Sequence, residues 1–181
     1  MLRDTPLCDF GWAAPAFELP DAHGKLHRSA DHLTSKGLLI AFICNHCPYV
    51  IAIAERLAAD AQILQDEGIG VLAIMSNDYD SYPADAPDRM IAFAETHNFP
   101  FPYLIDADQS VARSYDAICT PDFFGLNGAG QLQYRGRLDD ARMGDATNRT
   151  PELVNAMRDI AATGQGPQDQ VASMGCSIKW R

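Results

Sequence analysis

The sequence predicts an α/β fold, and three features support that prediction. An apolar run at 38–43 is typical of a strand that is covered on both faces. A helical repeat of apolar residues at 48–65 and a second apolar run at 70–76 follow, so these segments should form a strand–helix–strand unit with parallel strands. Further along, two β-rich segments flank the turn sequence NGAG at 127–130, which predicts an antiparallel hairpin.

The remaining segments complete the order of elements. The pattern predicts a helix at 88–99, a short strand and a helix after it, and a last helix at 151–162. A chain of 181 residues is of ordinary size for one domain. From residue 163 onward the sequence is rich in glycine and glutamine. We therefore divide the chain into a domain at 1–162 and a C-terminal tail at 163–181 that carries Cys176.

Composition and charge argue against several classes of function. The chain is 47% hydrophobic and 21% charged, which is typical of soluble globular proteins. Its net charge of -10 leaves no basic surface for phosphates, so we expect no nucleic-acid partner and no membrane partner. No apolar leader is visible at the start, and no run approaches the ~18 apolar residues of a membrane span. The sequence therefore predicts a cytoplasmic protein.

Cys44 and Cys47 are the one close pair among five cysteines, and they directly follow the first apolar run. In a reducing cytosol such a pair is more often catalytic, redox-sensing or metal-binding than structural. If the helix begins near Pro48 or slightly earlier, Cys44 lies at its N-terminal end, where free N–H groups and the helix dipole stabilise a thiolate. We expect Cys44 to be the nucleophile and the more buried Cys47 to resolve the mixed disulfide.

The two residues between the cysteines, Asn45 and His46, bear on the chemistry of the pair. An imidazolium or imidazole N–H near the sulfur favours the thiolate, so we expect a more oxidising pair than one with small apolar residues between. A structural zinc site needs four N or S ligands, and no second CxxC or histidine pair supplies them. A copper site could use Cys44, Cys47 and His97, the one histidine after the pair. We expect no metal.

The second candidate region is the sequence CTPDFF, in which Thr120 and Pro121 directly precede a predicted strand. Proline is confined to starts, edges and bulges of strands. The sequence leaves the isomer of the Thr120–Pro121 bond open, and a cis proline would leave a backbone edge free to pair with an extended peptide. Cys176, in the predicted tail, is a thiol that could swing in and exchange with the pair.

These motifs together resemble a known group of proteins. The order strand, CxxC, helix and a later Thr-Pro before a hairpin resembles the thioredoxin fold, and APAFELPDAHGK at 14–25 resembles the start of peroxiredoxins and membrane-tethered thiol-disulfide oxidoreductases. FICNHCPYV, FPFPYLIDADQSVARSYDAICTPDFF, YRGRLDD and GCSIKW, in this order, resemble the bacterial peroxiredoxin-like thioredoxin-family proteins of the AhpC/TSA/redoxin branch. The resemblance runs from about Ala14 to the C-terminus.

The resemblance implies a thioredoxin-like fold with a central mixed β-sheet flanked by helices on both faces, and a cis bond at Pro121 that faces the cysteine pair. It also implies that Cys47 lies where peroxiredoxins keep their peroxidatic cysteine. Those enzymes carry a proline seven residues and a threonine three residues before that cysteine, and here these positions are Ile40 and Cys44. Cys119 would lie near the pair as a third redox thiol or as a small buried hydrophobe.

From these features we expect a thiol-disulfide oxidoreductase that needs no cofactor and acts on protein or small-molecule thiols and disulfides. A thiol peroxidase that uses Cys47 or Cys44, a metal-binding or copper-delivery module that uses both cysteines, and a redox-sensing interaction protein remain as alternatives. The expected site comprises Cys44 and Cys47 as catalytic residues, Asn45, His46, Pro48, Thr120 and Pro121 as supporting residues, and Cys119 and Cys176 as additional redox thiols.

Overall fold

A computed structural model describes residues 1–181, and its strands form a five-stranded sheet, a three-stranded sheet and a small hairpin. The strands are β1 (Leu2–Asp4), β2 (Glu18–Pro20), β3 (Leu26–Arg28), β4 (Leu38–Phe42), β5 (Gly70–Met75), β6 (Tyr103–Ile105), β7 (Cys119–Thr120), β8 (Asp122–Leu126), β9 (Leu132–Tyr134) and β10 (Met174–Ser177). The helices are α1 (Ser29–His32), α2 (Pro48–Ile51), α3 (Ala54–Asp66), α4 (Pro87–Thr96), α5 (Ser110–Ser114) and α6 (Glu152–Thr163).

The central sheet has the order β6-β5-β4-β8-β9 and is mixed. Strands β4, β5 and β6 are parallel, whereas β8 is antiparallel to both β4 and β9. The predicted strand–helix–strand unit is therefore confirmed, and so is the hairpin. In the hairpin turn the Asn127 side chain accepts hydrogen bonds from the backbone N–H groups of Ala129 and Gln131, and Gly130 has a φ of 74°.

The uninterrupted apolar sequence of β4 reflects two cores on opposite faces of the sheet. Successive strand residues point to opposite faces. Leu39 and Ala41 accordingly join a core with α3 and α6, whereas Leu38, Ile40 and Phe42 join a core with α5. The mixed sheet with helices on both faces is thus the predicted architecture.

The predicted helix at 48–65 is divided into α2 and α3. Between them the Ile53 N–H donates to the Val50 carbonyl oxygen at 3.1 Å. This bond joins residues three apart, as in a 3-10 turn, and not four apart as in an α-helix. Regular bonding resumes where the Leu57 N–H donates to the Ile53 carbonyl oxygen. The short helix α2 is therefore separate from α3, and its N-terminus lies at the cysteine pair.

The C-terminal segment differs most from the sequence-based expectation. Residues 163–181 are predicted to be a weakly packed tail, but β10 is the middle strand of the second sheet, in the order β1-β10-β7, and pairs antiparallel with both neighbours. The flanking residues Ser173 and Ile178 are buried. Backbone bonding from both sides holds this strand, and its short sequence carries no alternating pattern that could reveal it. Among the helices, none has the length and apolar character needed to cross a membrane.

Candidate active site

The cysteine pair occupies the turn between the end of β4 and the start of α2. Cys47 is the N-cap of α2 and has an extended backbone. Its carbonyl oxygen accepts hydrogen bonds from the backbone N–H groups of Val50 and Ile51. Pro48 takes the first helical position, where its missing N–H is not needed. The helix therefore begins at Pro48, within the range that the sequence predicts, but its N-cap is Cys47 and not Cys44.

Both thiols of the pair are free and buried. Cys44 is 1% exposed and Cys47 is 0% exposed. The sequence predicts that Cys47 is the more buried thiol, whereas the structure buries both almost completely. The cover comes from the segment around Thr120, whose hydroxyl oxygen lies 3.4 Å from Cys44 Sγ and whose carbonyl oxygen lies 3.2 Å from Cys47 Sγ.

The surroundings of the two sulfurs favour a thiolate on Cys47. The pKa of Cys47 is lowered chiefly by a hydrogen bond with the Cys44 thiol and further by backbone N–H groups of Cys176 and Val50, against the opposing effect of burial. The pKa of Cys44 is raised by the same hydrogen bond, by burial and by the negative charge of Asp85. The stabilisation that the sequence argument assigned to Cys44 is thus found at Cys47.

Thr120 and Pro121 lie opposite the pair, as the resemblance implies, and the bond between them is cis. The backbone of β7 at Thr120 does not offer a free edge, because Cys176 of β10 is its partner in the sheet. An apolar pocket opens beside Pro121, between α2 and the C-terminal segment. Its lining includes Tyr49, Phe123, Arg142 and Met174.

Asn45 and His46 are held by Asp85, a fully buried carboxylate in a short 3-10 helix at Pro83–Asp85. The Asn45 backbone N–H donates to Asp85 Oδ1 at 2.8 Å, and the Asn77 side-chain amide donates to Asp85 Oδ2 at 2.8 Å. His46 Nδ1 lies 2.7 Å from Asp85 Oδ2, a close contact without aligned hydrogen-bond geometry.

Asp85 is not among the residues that the sequence singles out. One signal was available: the polar loop at 77–87 follows β5, and the carboxyl ends of the parallel strands β4 and β5 meet at one edge of the sheet. A carboxylate in that loop can therefore reach the turn that follows β4. A neighbour of the same turn is Tyr103, whose hydroxyl donates to the Asn45 side-chain oxygen at 3.0 Å.

The predicted copper ligands do not come together. Cys44 Sγ, a ring nitrogen of His46 and a carboxylate oxygen of Asp85 lie within 4.8 Å of one another, and His97 is not part of this group. The His97 ring packs against Phe93 instead, with centroids 4.5 Å apart. A metal at this place would have three protein ligands, none of them Cys47.

The two additional thiols have different surroundings. Cys119 is fully buried in β7, and burial raises its pKa to about 12, which fits a small buried hydrophobe. Cys176 is half-buried and packs against the core that contains Cys44 and Cys47. It is the sheet partner of Thr120, whose carbonyl oxygen lies 3.2 Å from Cys47 Sγ. The structure therefore places one additional thiol, Cys176, beside the pair.

Comparison with known proteins places this arrangement in a family. The sequence model of the AhpC/TSA family matches residues 10–135, which is more than half of the chain. The chain belongs to the AhpC/TSA family. No curated protein matches the sequence.

Solved structures agree with the predicted fold of this AhpC/TSA-family chain. A hypothetical protein from Sinorhizobium meliloti is 40% identical, with a TM-score of 0.91, and the match covers 100% of this chain and 99% of that chain. An uncharacterised conserved protein from Geobacillus kaustophilus is 38% identical, with a TM-score of 0.93 and coverage of 100% and 97%. A secreted Mycobacterium tuberculosis disulfide oxidoreductase, homologous to E. coli DsbE, shares the fold at 21% identity and a TM-score of 0.56, with 65% and 80% covered. The thioredoxin-like fold is confirmed.

Proposed function

We propose that this AhpC/TSA-family protein is a thiol-disulfide oxidoreductase that uses Cys44 and Cys47 as a reversible dithiol. The observation that carries the proposal is a pair of free, buried thiols at the start of α2, both within hydrogen-bond distance of Thr120, one of which has a lowered pKa. A thiolate is the nucleophile of disulfide exchange, and a second thiol beside it can displace the partner. The same two sulfurs therefore serve attack and resolution.

The surroundings of the sulfurs support the reverse of the roles expected from sequence. The Cys47 thiolate attacks a partner disulfide, forms a mixed disulfide and releases one partner thiolate. Cys44 then loses its proton and attacks the Cys47 sulfur, which closes the Cys44–Cys47 disulfide and releases the second partner thiolate. Two electrons pass to the partner. The charge of Asp85 beside Cys44 favours this order, because it raises the pKa of Cys44 and keeps the negative charge on Cys47.

The supporting residues act by position. Thr120 contacts both sulfurs, and the hydrogen bond between its hydroxyl and Cys44 partly offsets the rise in the pKa of that thiol. Asn45 and His46 keep the turn in place through Asp85. The apolar pocket beside Pro121 is the place where we expect a side chain of the partner to bind. We propose protein or small-molecule disulfides and thiols of the cytoplasm as partners.

The test uses the Cys176→Ser variant, so that the pair alone can form an intramolecular disulfide at this site. The protein is equilibrated with glutathione buffers, and the free thiols are trapped by alkylation at each ratio. We expect a reversible two-electron couple that disappears in the Cys44→Ser/Cys176→Ser protein. If no Cys44–Cys47 disulfide forms across the accessible range of potentials, the proposed function is wrong.

The alternatives give different results in parallel assays. A thiol peroxidase would also need the low pKa of Cys47, and it would consume hydrogen peroxide rapidly with a dithiol as reductant. A metal-binding module would bind zinc or copper with one-to-one stoichiometry and lose that binding in a His46→Ala variant, because His46 belongs to the group of three ligand atoms. Slow peroxide consumption and no stoichiometric metal would leave disulfide exchange as the activity.

A further inference from the structure

The edge of β7 beside Pro121 is covered by the protein's own C-terminal strand. Cys176 is the partner of Thr120, and Ser177 is the partner of Cys119, in an antiparallel register. An extended peptide that binds to a sheet edge uses the same backbone hydrogen bonds. Strand β10 therefore occupies the position in which a partner chain would pair with β7.

The fit of β10 to this edge is close. Gly175 has no side chain, and a Cβ at this position would fall on the carbonyl oxygen of Thr120. The Ser173 hydroxyl donates to the Pro121 carbonyl oxygen at 2.8 Å, and the Ile178 N–H donates to the Ile118 carbonyl oxygen at 3.0 Å. Contacts before and after Cys176 thus hold the strand against β7.

This register places Cys176 at the sulfur of Cys47. The carbonyl oxygen of Thr120 lies 3.2 Å from Cys47 Sγ, and Cys176 is the sheet partner of the same threonine. Cys176 also packs against the apolar core that contains Cys47, and its backbone N–H and thiol are among the groups that lower the pKa of Cys47. The space beside β7 that β10 fills is called the groove. A cysteine of a partner strand that paired with β7 there in the same register would occupy the position that Cys176 holds.

We propose that Cys176 is a third redox-active cysteine and that β10 serves as a built-in partner strand, which presents Cys176 to Cys47 for disulfide exchange. The proposal rests on the proposed function only in that Cys44 and Cys47 must first become oxidised together. The thiolate of Cys176 then attacks the Cys47 sulfur. The Cys47–Cys176 bond forms as the Cys44–Cys47 bond breaks, Cys44 leaves as a thiolate, and it takes up the proton that Cys176 lost. One disulfide replaces another, so no external oxidant is consumed in this step.

The exchange gives Cys176 a role that closeness to Cys47 alone would not give it. It leaves Cys44 as the free thiol and ties α2 to β10 through Cys47, so the groove beside β7 stays closed to a partner chain. The reverse step, attack of Cys44 on Cys47, frees β10 again. The position of the disulfide therefore decides whether the edge of β7 can be exposed.

The test is the position of the disulfide after oxidation with oxidised glutathione. Trypsin should release the pair in the peptide 37–56 and Cys176 in the peptide 159–179, so a Cys47–Cys176 bond joins two separate peptides. In the Cys44→Ser variant we expect most of the protein to carry this cross-link. The matched control, Cys44→Ser/Cys176→Ser, should carry glutathione on Cys47 instead. The Cys47→Ser variant should show no cross-link between Cys44 and Cys176.

If the Cys44→Ser variant carries glutathione on Cys47 and leaves Cys176 free, the proposal is overturned. That result is separable from failure of the proposed function, which is judged from the Cys44–Cys47 disulfide in the Cys176→Ser variant. Wild-type protein offers the same readout without a substitution. Joined peptides 37–56 and 159–179 in oxidised wild type support the exchange, and their complete absence contradicts it.

A second variant tests the cover over the groove. Gly175→Ala should push β10 away from Thr120 and raise the alkylation rate of Cys47 by about tenfold, which corresponds to about 1.4 kcal/mol of lost strand pairing. The rate is measured in the Cys44→Ser background at an alkaline pH, where Cys47 stays a thiolate even without the N–H of Cys176. The control is Val171→Ala, because this side chain lies before β10 and is exposed. An unchanged alkylation rate in a folded Gly175→Ala protein would show that β10 does not cover Cys47.

Discussion

The carboxylate of Asp85 holds the turn between the cysteines, and its removal should both destabilise the protein and shift charge between the sulfurs. Its two oxygens accept hydrogen bonds at 2.8 Å from the Asn45 backbone N–H and the Asn77 amide, and the side chain is fully buried. Hydrogen bonds to a charged group contribute about 1.5–3 kcal/mol each. The Asp85→Asn variant keeps one acceptor oxygen, but its NH2 group replaces the other oxygen and faces one of the two N–H donors, Asn45 or Asn77, which then has no acceptor. We therefore expect a loss of about 1–3 kcal/mol in the free energy of unfolding.

The assay for this loss is urea unfolding of Asp85→Asn beside Asp80→Asn. Asp80 lies in the same loop, and its side chain is 67% exposed, so its replacement should change the free energy of unfolding by less than about 0.5 kcal/mol. The slope of free energy against urea should be the same in both variants, since neither changes the surface exposed on unfolding.

The second readout of the Asp85→Asn variant is the titration of the thiols. The Asp85 charge raises the pKa of Cys44, so its removal should lower that pKa and reduce the preference of the thiolate for Cys47. Alkylation against pH, resolved by cysteine, measures this change. Wild-type stability together with an unchanged alkylation profile would refute the role assigned to Asp85, because the hydrogen bonds and the charge would then both be without effect.

Three further predictions concern groups around the site. Burial raises the pKa of Asp122 to about 6 despite its bond with Arg135, so the folded state favours the protonated carboxyl. The contribution of this carboxyl to the free energy of unfolding is complete below its unfolded pKa near 3.8 and is lost as the pH rises through about 6. Urea unfolding between these two pH values should show a change of about 3 kcal/mol. Arg149→Ala leaves the buried carboxylate of Asp60 unpaired and should lower the free energy of unfolding by about 3–5 kcal/mol, measured in the same way. Cys119→Ala should leave the disulfide pattern in peptide maps unchanged, because burial keeps this thiol protonated.

The parts of the fold that the sequence predicts are those with a local signal. Strands β4 and β5 are apolar runs of the right length, and the turn at 127–130 carries the residues that such a turn requires. The mixed order of the sheet follows from these two units, because one is parallel and the other antiparallel. Cys44 and Cys47 follow the end of β4, and Thr120 comes just before the start of β8, the antiparallel neighbour of β4, so the two segments meet at one edge of the sheet.

The parts that the sequence does not predict depend on distant contacts. The bond from the Asn45 N–H to Asp85 joins residues 40 positions apart, and no pattern in the loop marks this carboxylate among its neighbours. Strand β10 has four residues and gains its hydrogen bonds from β1 and β7, which lie far away along the chain. The roles that we propose for Cys44 and Cys47 differ from the sequence-based expectation for a local reason: the helix begins at Pro48, so its N-cap is Cys47 and not Cys44.

The strand that covers Cys47 also stabilises its charge, and this links access to reactivity. The backbone N–H of Cys176 is one of the groups that lower the pKa of Cys47, so moving β10 away exposes the sulfur and at the same time removes a donor from it. An incoming partner strand that pairs with Thr120 in the same register would supply its own N–H at that position. The thiolate would then be restored only when the groove is filled. Exchange of β10 for a partner chain should therefore favour protein disulfides with extended flanking residues over small disulfides that cannot replace the strand.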